Sequence, residues 1–326
     1  MSFKKLLKEY NREFGLVVAL ILMVALFGTL NPLYVSMGNI TDIIDQTTIY
    51  GLMALGMTFI IIGGAIDLSV GSILAFIGVV VAKMAVAGIN PFICIVAGVI
   101  IGLIIGAING FIVAKMKLQP FVATLGTMSI VRGFAYVIAQ GFPIINIPVE
   151  YRKMIDGILF GGVRKSVIIF LAFAIFCHIL LKETKFGNYV YAIGGNEEST
   201  RLSGVNVDWY KIMIFAVGVS GTALAALVQL GKLGTGEATA GQGYELNAIA
   251  AVAIGGASMA GGRGGIIGTV LGALLFSGLK IGLIVVGVDT FWQYVATGLV
   301  IVIATYGEVI QSKLSSLSRE KKKQIV

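Results

Sequence analysis

Charge is scarce in this chain. Of 326 residues, 12% are Asp, Glu, Lys or Arg, against about a quarter in an ordinary soluble domain. With 57% hydrophobic residues and a mean hydropathy of +0.97, lipid is the solvent this composition suits. Histidine occurs once, as His178, and cysteine twice, as Cys94 and Cys177. Both cysteines fall inside apolar runs and read as small packing residues, not a disulfide. His178 reads as a packed or interfacial side chain, with a proton relay as the alternative. There is no HExxH and no cysteine pair at metal spacing, so no metal and no cofactor is expected. A GxxxxGK[ST] phosphate loop is also missing, since Gly231-Lys232 is followed by Leu233; nucleotide binding of the usual kind is excluded. Carboxylates are too few in the apolar runs to form the buried acid series of a proton-driven pump. No catalytic residue is expected.

What the chain has is apolar runs. A helix crosses the bilayer with about 20 apolar residues, and ten spans are expected near 14–30, 49–66, 70–87, 92–113, 120–139, 167–181, 212–230, 246–260, 266–286 and 291–310. The fold class is therefore all-α and polytopic, a single membrane domain over 1–326. Lys4, Lys5 and Lys8 precede the first run as they would in a signal peptide. Only Asn31-Pro32 follows Leu30, with no small-x-small cleavage site, so the run reads as an anchor.

The net charge of +8 could suggest nucleic acid, but its distribution points to membrane orientation instead. With the N-terminus in the cytoplasm, 16 of the 24 Lys and Arg are cytoplasmic, including Arg12, Lys115, Lys117, Lys182, Lys185, Arg201, Lys211, Arg263 and the tail group from Lys313 to Lys323. Six are external and two, Arg132 and Lys280, fall inside spans. By the positive-inside rule both tails (1–13 and 311–326) and the loop 182–211 are cytoplasmic, and the loop 140–166 is external. No nucleic-acid partner is expected.

Glycine is abundant, with 44 residues, and it is patterned. Gly98, Gly102, Gly106 and Gly110 recur every fourth position, and Gly264, Gly268 and Gly272 repeat the device, with Gly278 and Gly282 beyond. Such ridges let membrane helices approach closely. Two breaks stand apart. At 63–72, Gly63-Gly64 weakens a helix and Asp67 with Ser69 looks like a fresh start. At 255–265, a glycine-dense turn holds Arg263 alone. Broken helices at membrane depth are tolerated where protein or water satisfies the backbone, as in transport pathways; a tight hairpin is the alternative.

Solute passage is the plain function of such a bundle. Path candidates are Asp67, Ser69, Asn109, Thr124, Thr127 and Arg132, with Ser129, Ser220, Thr222 and Gln229 as further polar positions. Neutral hydroxyls and amides suit a neutral polyhydroxylated solute, although Ser and Thr also bond back to helix carbonyls. Arg132, inside a span, needs a specific partner. The basic residues Arg152, Lys153, Arg164 and Lys165 depart from the orientation rule. They could meet an acidic surface on an external delivery protein, or simply be solvated. The segment 189–207, polar and of both charge signs, is the conspicuous water-facing stretch.

Four motifs carry a family resemblance: GGNEESTRLSGVNV (194–207), AIDLSVGS (65–72), TAGQGYELNAIAAVAIGGASMAGGRG (239–264) and PFVATLGTMSIVRG (120–133). Together they resemble the permease subunits of ribose-type ABC importers, over nearly the whole chain. Small departures are Ala65 in place of glycine before IDLS and Val205 in place of isoleucine. The resemblance implies a type II ABC importer-like permease of about ten helices and a second permease copy. It also implies a cytoplasmic ABC ATPase, an external sugar-binding protein, and a path between the two permeases. It further implies a coupling helix within Gly194, Gly195, Asn196, Glu197, Arg201, Leu202, Ser203 and Gly204. There Asn196 would cap, Glu197 and Glu198 would sit in the positive first turn, Arg201 and Leu202 would make contact, and Ser203-Gly204 would stop the helix. The substrate would be a monosaccharide, ribose or another pentose first. Galactose, xylose, allose, galactofuranose and the furanosyl signal autoinducer-2 are the alternatives. An ion-coupled secondary transporter and a non-transporting membrane scaffold are the rival classes.

Overall fold

The computed structural model describes residues 11–159, 162–303 and 306. Among the described residues there are no strands. The elements run α1 (Asn11–Leu30), α2 (Met37–Ile62), α3 (Val70–Val86), α4 (Pro91–Ala114), α5 (Pro120–Ala139), α6 (Val149–Asp156) and α7 (Lys165–Lys182). There follow α8 (Lys185–Gly195), α9 (Glu197–Leu202), α10 (Val207–Leu233), α11 (Tyr244–Ile254) and α12 (Ile266–Val285), then α13 (Thr290–Ile303). Seven of these, α1, α2, α4, α5, α7, α10 and α12, are long and apolar enough to cross a membrane; α3, α11 and α13 are apolar but shorter. Every expected span has a helix at its place. Residues 1–10 of the expected N-terminal tail and the whole expected C-terminal tail, 311–326, lie outside the described residues, as does the end of the tenth span.

Two long helices, α2 and α10, form the core, and both are buried along most of their length. They cross with Gly56 and Gly218 backbone to backbone, with no room for a side chain at either position. The first glycine ridge does the same for α4. Gly98 faces Leu227, Gly102 faces Ala223, Gly106 faces the Phe215 carbonyl and Gly110 faces Ile212, so α4 lies antiparallel along α10. In a bilayer, where the lipid tails are as apolar as the helices, this close packing is what holds helices together. Gly268 and Gly272 seat α12 on α11, and Tyr34 Oη donates to the Gly278 carbonyl at 3.0 Å, tying the turn after α1 to α12.

Three features differ from the sequence expectation, each for a physical reason. The second span starts at Met37, well before 49, because Ser36 caps the helix and accepts from the Asn39 N–H. Its polar first half, which lowers the hydropathy there, is satisfied by charge, since Asp45 meets Lys232 at 2.8 Å and Arg164 at 3.5 Å. The eighth span ends at Ile254, earlier than 260, because Gly256, Gly261 and Gly262 all have positive φ and unwind the chain there. Its start is also irregular. The segment before it packs Gly236 against Gly78 and Ala82, and Gly241 against Gly71 and Leu74. That irregular stretch of turns follows α3 from its last turns toward its first, packed on protein through its glycines, as irregular backbone at depth must be. Finally, the loops 140–166 and 182–211 hold helices that hydropathy does not report: α6 in the first, α8 and α9 in the second.

Candidate functional site

Three glycine-rich breaks meet at one end of the bundle. The Ile62 carbonyl, at the end of α2, accepts from the Gly262 N–H at 2.8 Å. Gly194, near the end of α8, lies directly on that same carbonyl and against the Gly262 nitrogen, leaving no space for a Cβ. Gly261 lies on Gly64 and Gly194. Tyr191 Oη donates to the Gly264 carbonyl at 2.9 Å, and Ser258 N–H donates to the Arg263 carbonyl at 2.9 Å, closing the 255–265 turn. Arg12, at the start of α1, lies against Gly256. The result is an elbow between α8 and α9 that rests at once on the end of α2 and on the turn leading into α12.

From this elbow α9 projects outward. Asn196 is extended, and its Oδ1 accepts from the Ser199 N–H at 2.8 Å, satisfying a donor that the helix start leaves open. Glu197 and Glu198 occupy the first turn and Arg201 the last, the favourable placement for the helix dipole. Ser203 ends the helix and Gly204 follows at φ +85, the left-handed stop that glycine allows. An ion network holds α9 to the start of α10. Arg201 reaches Glu197 at 3.1 Å and Asp208 at 2.9 Å, Lys211 reaches Glu197 at 2.5 Å, and Lys115 at the end of α4 reaches Asp208 at 3.0 Å. Burial raises the Glu197 carboxyl, but Lys211 and Arg201 outweigh it and hold Glu197 below the usual carboxylate range. Asp208 and Glu197 in turn raise the Arg201 guanidinium above its ordinary value. Leu202 makes no use of this network and is 83% exposed. It is a large apolar side chain standing free on a braced, charged helix.

The path candidates divide. Asp67, Ser69, Asn109 and Thr124 form one buried cluster that closes the break between α2 and α3. Asp67 Oδ1 accepts from Ser69 N–H at 2.8 Å and from Ser69 Oγ at 2.5 Å. Asn109 Nδ2 donates to Asp67 Oδ2 at 3.2 Å and to Ser69 Oγ at 2.9 Å, and Leu68 N–H donates to Thr124 Oγ1 at 3.2 Å. Each is 0% exposed. Ser69 stands at the cap position of α3 without a capping bond; its hydroxyl serves Asp67 instead. Asn109 Oδ1 has no partner, nor do Thr222 Oγ1 and Gln229 Oε1 in α10. Thr127, Ser129 and Ser220 bond back to carbonyls of their own helices. Arg132 has found its partners, donating to the Ala238 carbonyl at 2.5 Å and the Ala240 carbonyl at 2.7 Å, so it pins the turn segment before α11.

At the opposite end, Arg164 bridges Asp156 at 2.8 Å and Asp45 at 3.5 Å, and Lys165 Nζ donates to the Lys153 carbonyl at 2.9 Å. Arg152 Nε donates to the Gly231 carbonyl at 3.2 Å. Three of the four basic candidates are thus engaged within the chain, while the Lys153 side chain is exposed.

Hydropathy alone missed a set of polar residues on the last three apolar helices. Gln242, Tyr244, Asn247, Lys280, Gln293, Tyr294 and neighbours line a cavity of about 250 Å³. The signal is present as spacing: Tyr244 and Asn247 are three apart and Gln293 and Thr297 four apart, each pair on one helix face.

Among known proteins, the family described as "Branched-chain amino acid transport system / permease component" matches residues 39–305. The chain is similar to the ribose import permease protein RbsC of Escherichia coli (strain K12), 38% identical over 304 residues that cover 91% of this chain and 94% of the relative. It is similar to RbsC of Bacillus subtilis (strain 168), 42% identical over 295 residues, 90% of this chain and 91% of the relative. It is also similar to the D-allose transport system permease protein AlsC of Escherichia coli (strain K12), 36% identical over 303 residues, 92% and 93%. No solved structure matches the chain.

Proposed function

The chain belongs to the permease-component family of ABC importers, in its ribose-type branch, and from that premise we propose that it carries a monosaccharide, ribose first, inward across the membrane by way of α9. It is a multi-pass inner-membrane transport subunit and not an enzyme; ATP hydrolysis resides in a separate subunit, and a substrate-binding protein delivers the sugar. The ribose assignment rests on the ribose import permeases among its relatives, with D-allose as the second reading.

The observation that carries the mechanism is the elbow. An exposed short helix whose root rests on the Ile62 carbonyl and on Gly261 and Gly262 converts a push on Leu202 into a displacement of two transmembrane helix ends, those of α2 and α12. The contact residues are Arg201 and Leu202, the cap is Asn196 with Glu197 beside it, and Gly194, Gly195, Ser203 and Gly204 shape the ends. On this reading both termini, α8 and α9 are cytoplasmic. Arg12, Lys115, Arg201, Lys211 and Arg263 all gather at that end, as the positive-inside rule asks.

A second copy of the chain pairs with it along α13. There Gln242, Thr290 and Tyr294 open a polar cavity on a lateral face, which lipid covers poorly. The delivery protein docks at the opposite end, with Lys153 as its exposed cation and Arg152, Arg164 and Lys165 shaping the surface. Asp67, Ser69, Asn109 and Thr124 hold the helix break beside the path, and Arg132 holds the segment before α11. Proteoliposomes test this reading. Sugar uptake is expected only when the ATPase, ATP and the loaded binding protein are all present. Uptake by the purified chain alone, abolished by an uncoupler and indifferent to ATP, would mean ion-coupled transport.

A further inference from the structure

The cavity between α11, α12 and α13 differs in kind from the rest of the membrane portion. Its walls are Gln242, Tyr244, Asn247, Lys280, Gln293 and Tyr294, with Thr290 and Thr297 at the edge. Asn247 and Gln293 are buried, at 7% and 9% exposure, so these amides are shielded from open lipid. Lys280 is the feature that needs explaining. It lies five residues before the end of the apolar helix α12, and among the described residues no carboxylate lies within ion-pair distance of it. A lysine at such a place is costly, and by default it marks a pathway or a ligand.

Its position is fixed by Tyr50 of α2. Lys280 Nζ donates to Tyr50 Oη at 2.8 Å and lies 5.1 Å from that ring's centroid. Tyr50 in turn is held edge-on by Tyr244 at 5.0 Å and by Phe276 at 6.0 Å. An ammonium has three donors, so anchoring by Tyr50 leaves the others for the cavity. Gln293 spends its Nε2 on the Val288 carbonyl at 3.4 Å, leaving its carbonyl oxygen as an acceptor. The cavity therefore offers fixed donors, an amide acceptor and the faces of Tyr244 and Tyr294, the set that a hydroxyl-rich ring with apolar C–H faces requires. Its volume of about 250 Å³ lies near the lower end of the roughly 300–1,000 Å³ of small-molecule sites, which suits a single-ring solute.

We propose that this cavity is a monosaccharide-contact site within the membrane portion, in which Lys280, Asn247 and Gln293 hydrogen-bond the sugar during passage. The inference rests on the permease reading above and adds the side chains that meet the solute.

The test uses the complete transporter in proteoliposomes, with permease, ATPase and cognate binding protein, and D-ribose or D-allose as the probe, whichever the binding protein retains. Sugar moved per ATP hydrolysed is measured for Lys280→Met, Lys280→Gln and Gln293→Leu. The expected result is at least a tenfold fall in sugar per ATP for Lys280→Met and Gln293→Leu, while the loaded binding protein still stimulates hydrolysis. Lys280→Gln, which keeps a donor, is expected to retain more transport than Lys280→Met, an order that a purely packing role does not produce. Sugar per ATP within twofold of the unsubstituted complex for all three overturns the inference, and so does a parallel loss of transport and hydrolysis. Failure of the unsubstituted complex to move either sugar with ATP overturns the permease reading as well, so the two failures are distinct.

Discussion

Gly194 lies on the carbonyl oxygen of Ile62 with no space for a Cβ, and that oxygen also accepts from the Gly262 N–H at 2.8 Å. One carbonyl at the end of α2 thus joins the root of α9 to the turn before α12. Gly194→Ala forces the backbone to move, and overpacking of this kind costs about 1–3 kcal/mol. The expected outcome is an inserted protein with a lower melting temperature and weakened stimulation of the ATPase. Gly195→Ala, whose Cβ meets nothing within 4 Å, should behave like the unsubstituted chain. Thermal unfolding in detergent, run beside ATPase assays, checks the contrast; equal effects of the two would mean that the elbow contact is not what matters.

The Asn196 cap holds the first turn of α9 together. Asn196→Ala should destabilise it by about 1 kcal/mol and Asn196→Asp hardly at all. Amide hydrogen exchange over 197–202 reads this directly, with faster exchange expected in the alanine variant alone.

Glu197 supplies a pH test whose sign follows from its partners. Its folded carboxyl titrates below the unfolded value, because Lys211 and Arg201 outweigh burial. The stabilisation is therefore complete above the unfolded value of about 4.3 and is lost as pH falls through the lower folded value. Exchange over 197–202, corrected for intrinsic rates, should stay level from neutral pH down to that range and rise only below it. A rise beginning near neutral pH would contradict this.

Asp67 accepts from three donors within a buried cluster. Asp67→Ala leaves buried donors without partners, at about 1–3 kcal/mol for each. Asp67→Asn keeps an acceptor and should lose less. The measured order of melting temperatures is expected to run Asp, Asn, Ala; no difference between the last two would remove Asp67 from its role in closing the break.

Much of the architecture was legible because membrane spans announce themselves by hydropathy, and the glycine ridges announce helix crossings by their spacing. The bounds of α9 came with the family resemblance, and Asn196 as start and Ser203-Gly204 as stop act on their neighbours to set them. What the sequence hid is long-range. Asp45 meets Lys232 across the whole chain, so the first turns of α2 looked too polar to be part of a span. Arg132 finds backbone carbonyls at Ala238 and Ala240, partners that carry no side-chain signal at all. Asn109 and Thr124 looked like path residues because polarity in a span is the same signal whether a side chain meets a solute or another helix. Lys280 stood out in the sequence as a cation inside a span and Gln293 did not, and the cavity is what joins them.

The most direct test is the assembled importer with Leu202→Asp and, separately, Arg201→Glu, both on the exposed face of α9. Sugar uptake and binding-protein-stimulated ATP hydrolysis are measured in proteoliposomes, with membrane insertion checked by size-exclusion chromatography. If α9 couples the permease to its ATPase, both variants insert normally and lose uptake and stimulation together, by tenfold or more for Leu202→Asp. Uptake and stimulation at the unsubstituted level in both variants would return α9 to being an ordinary surface loop.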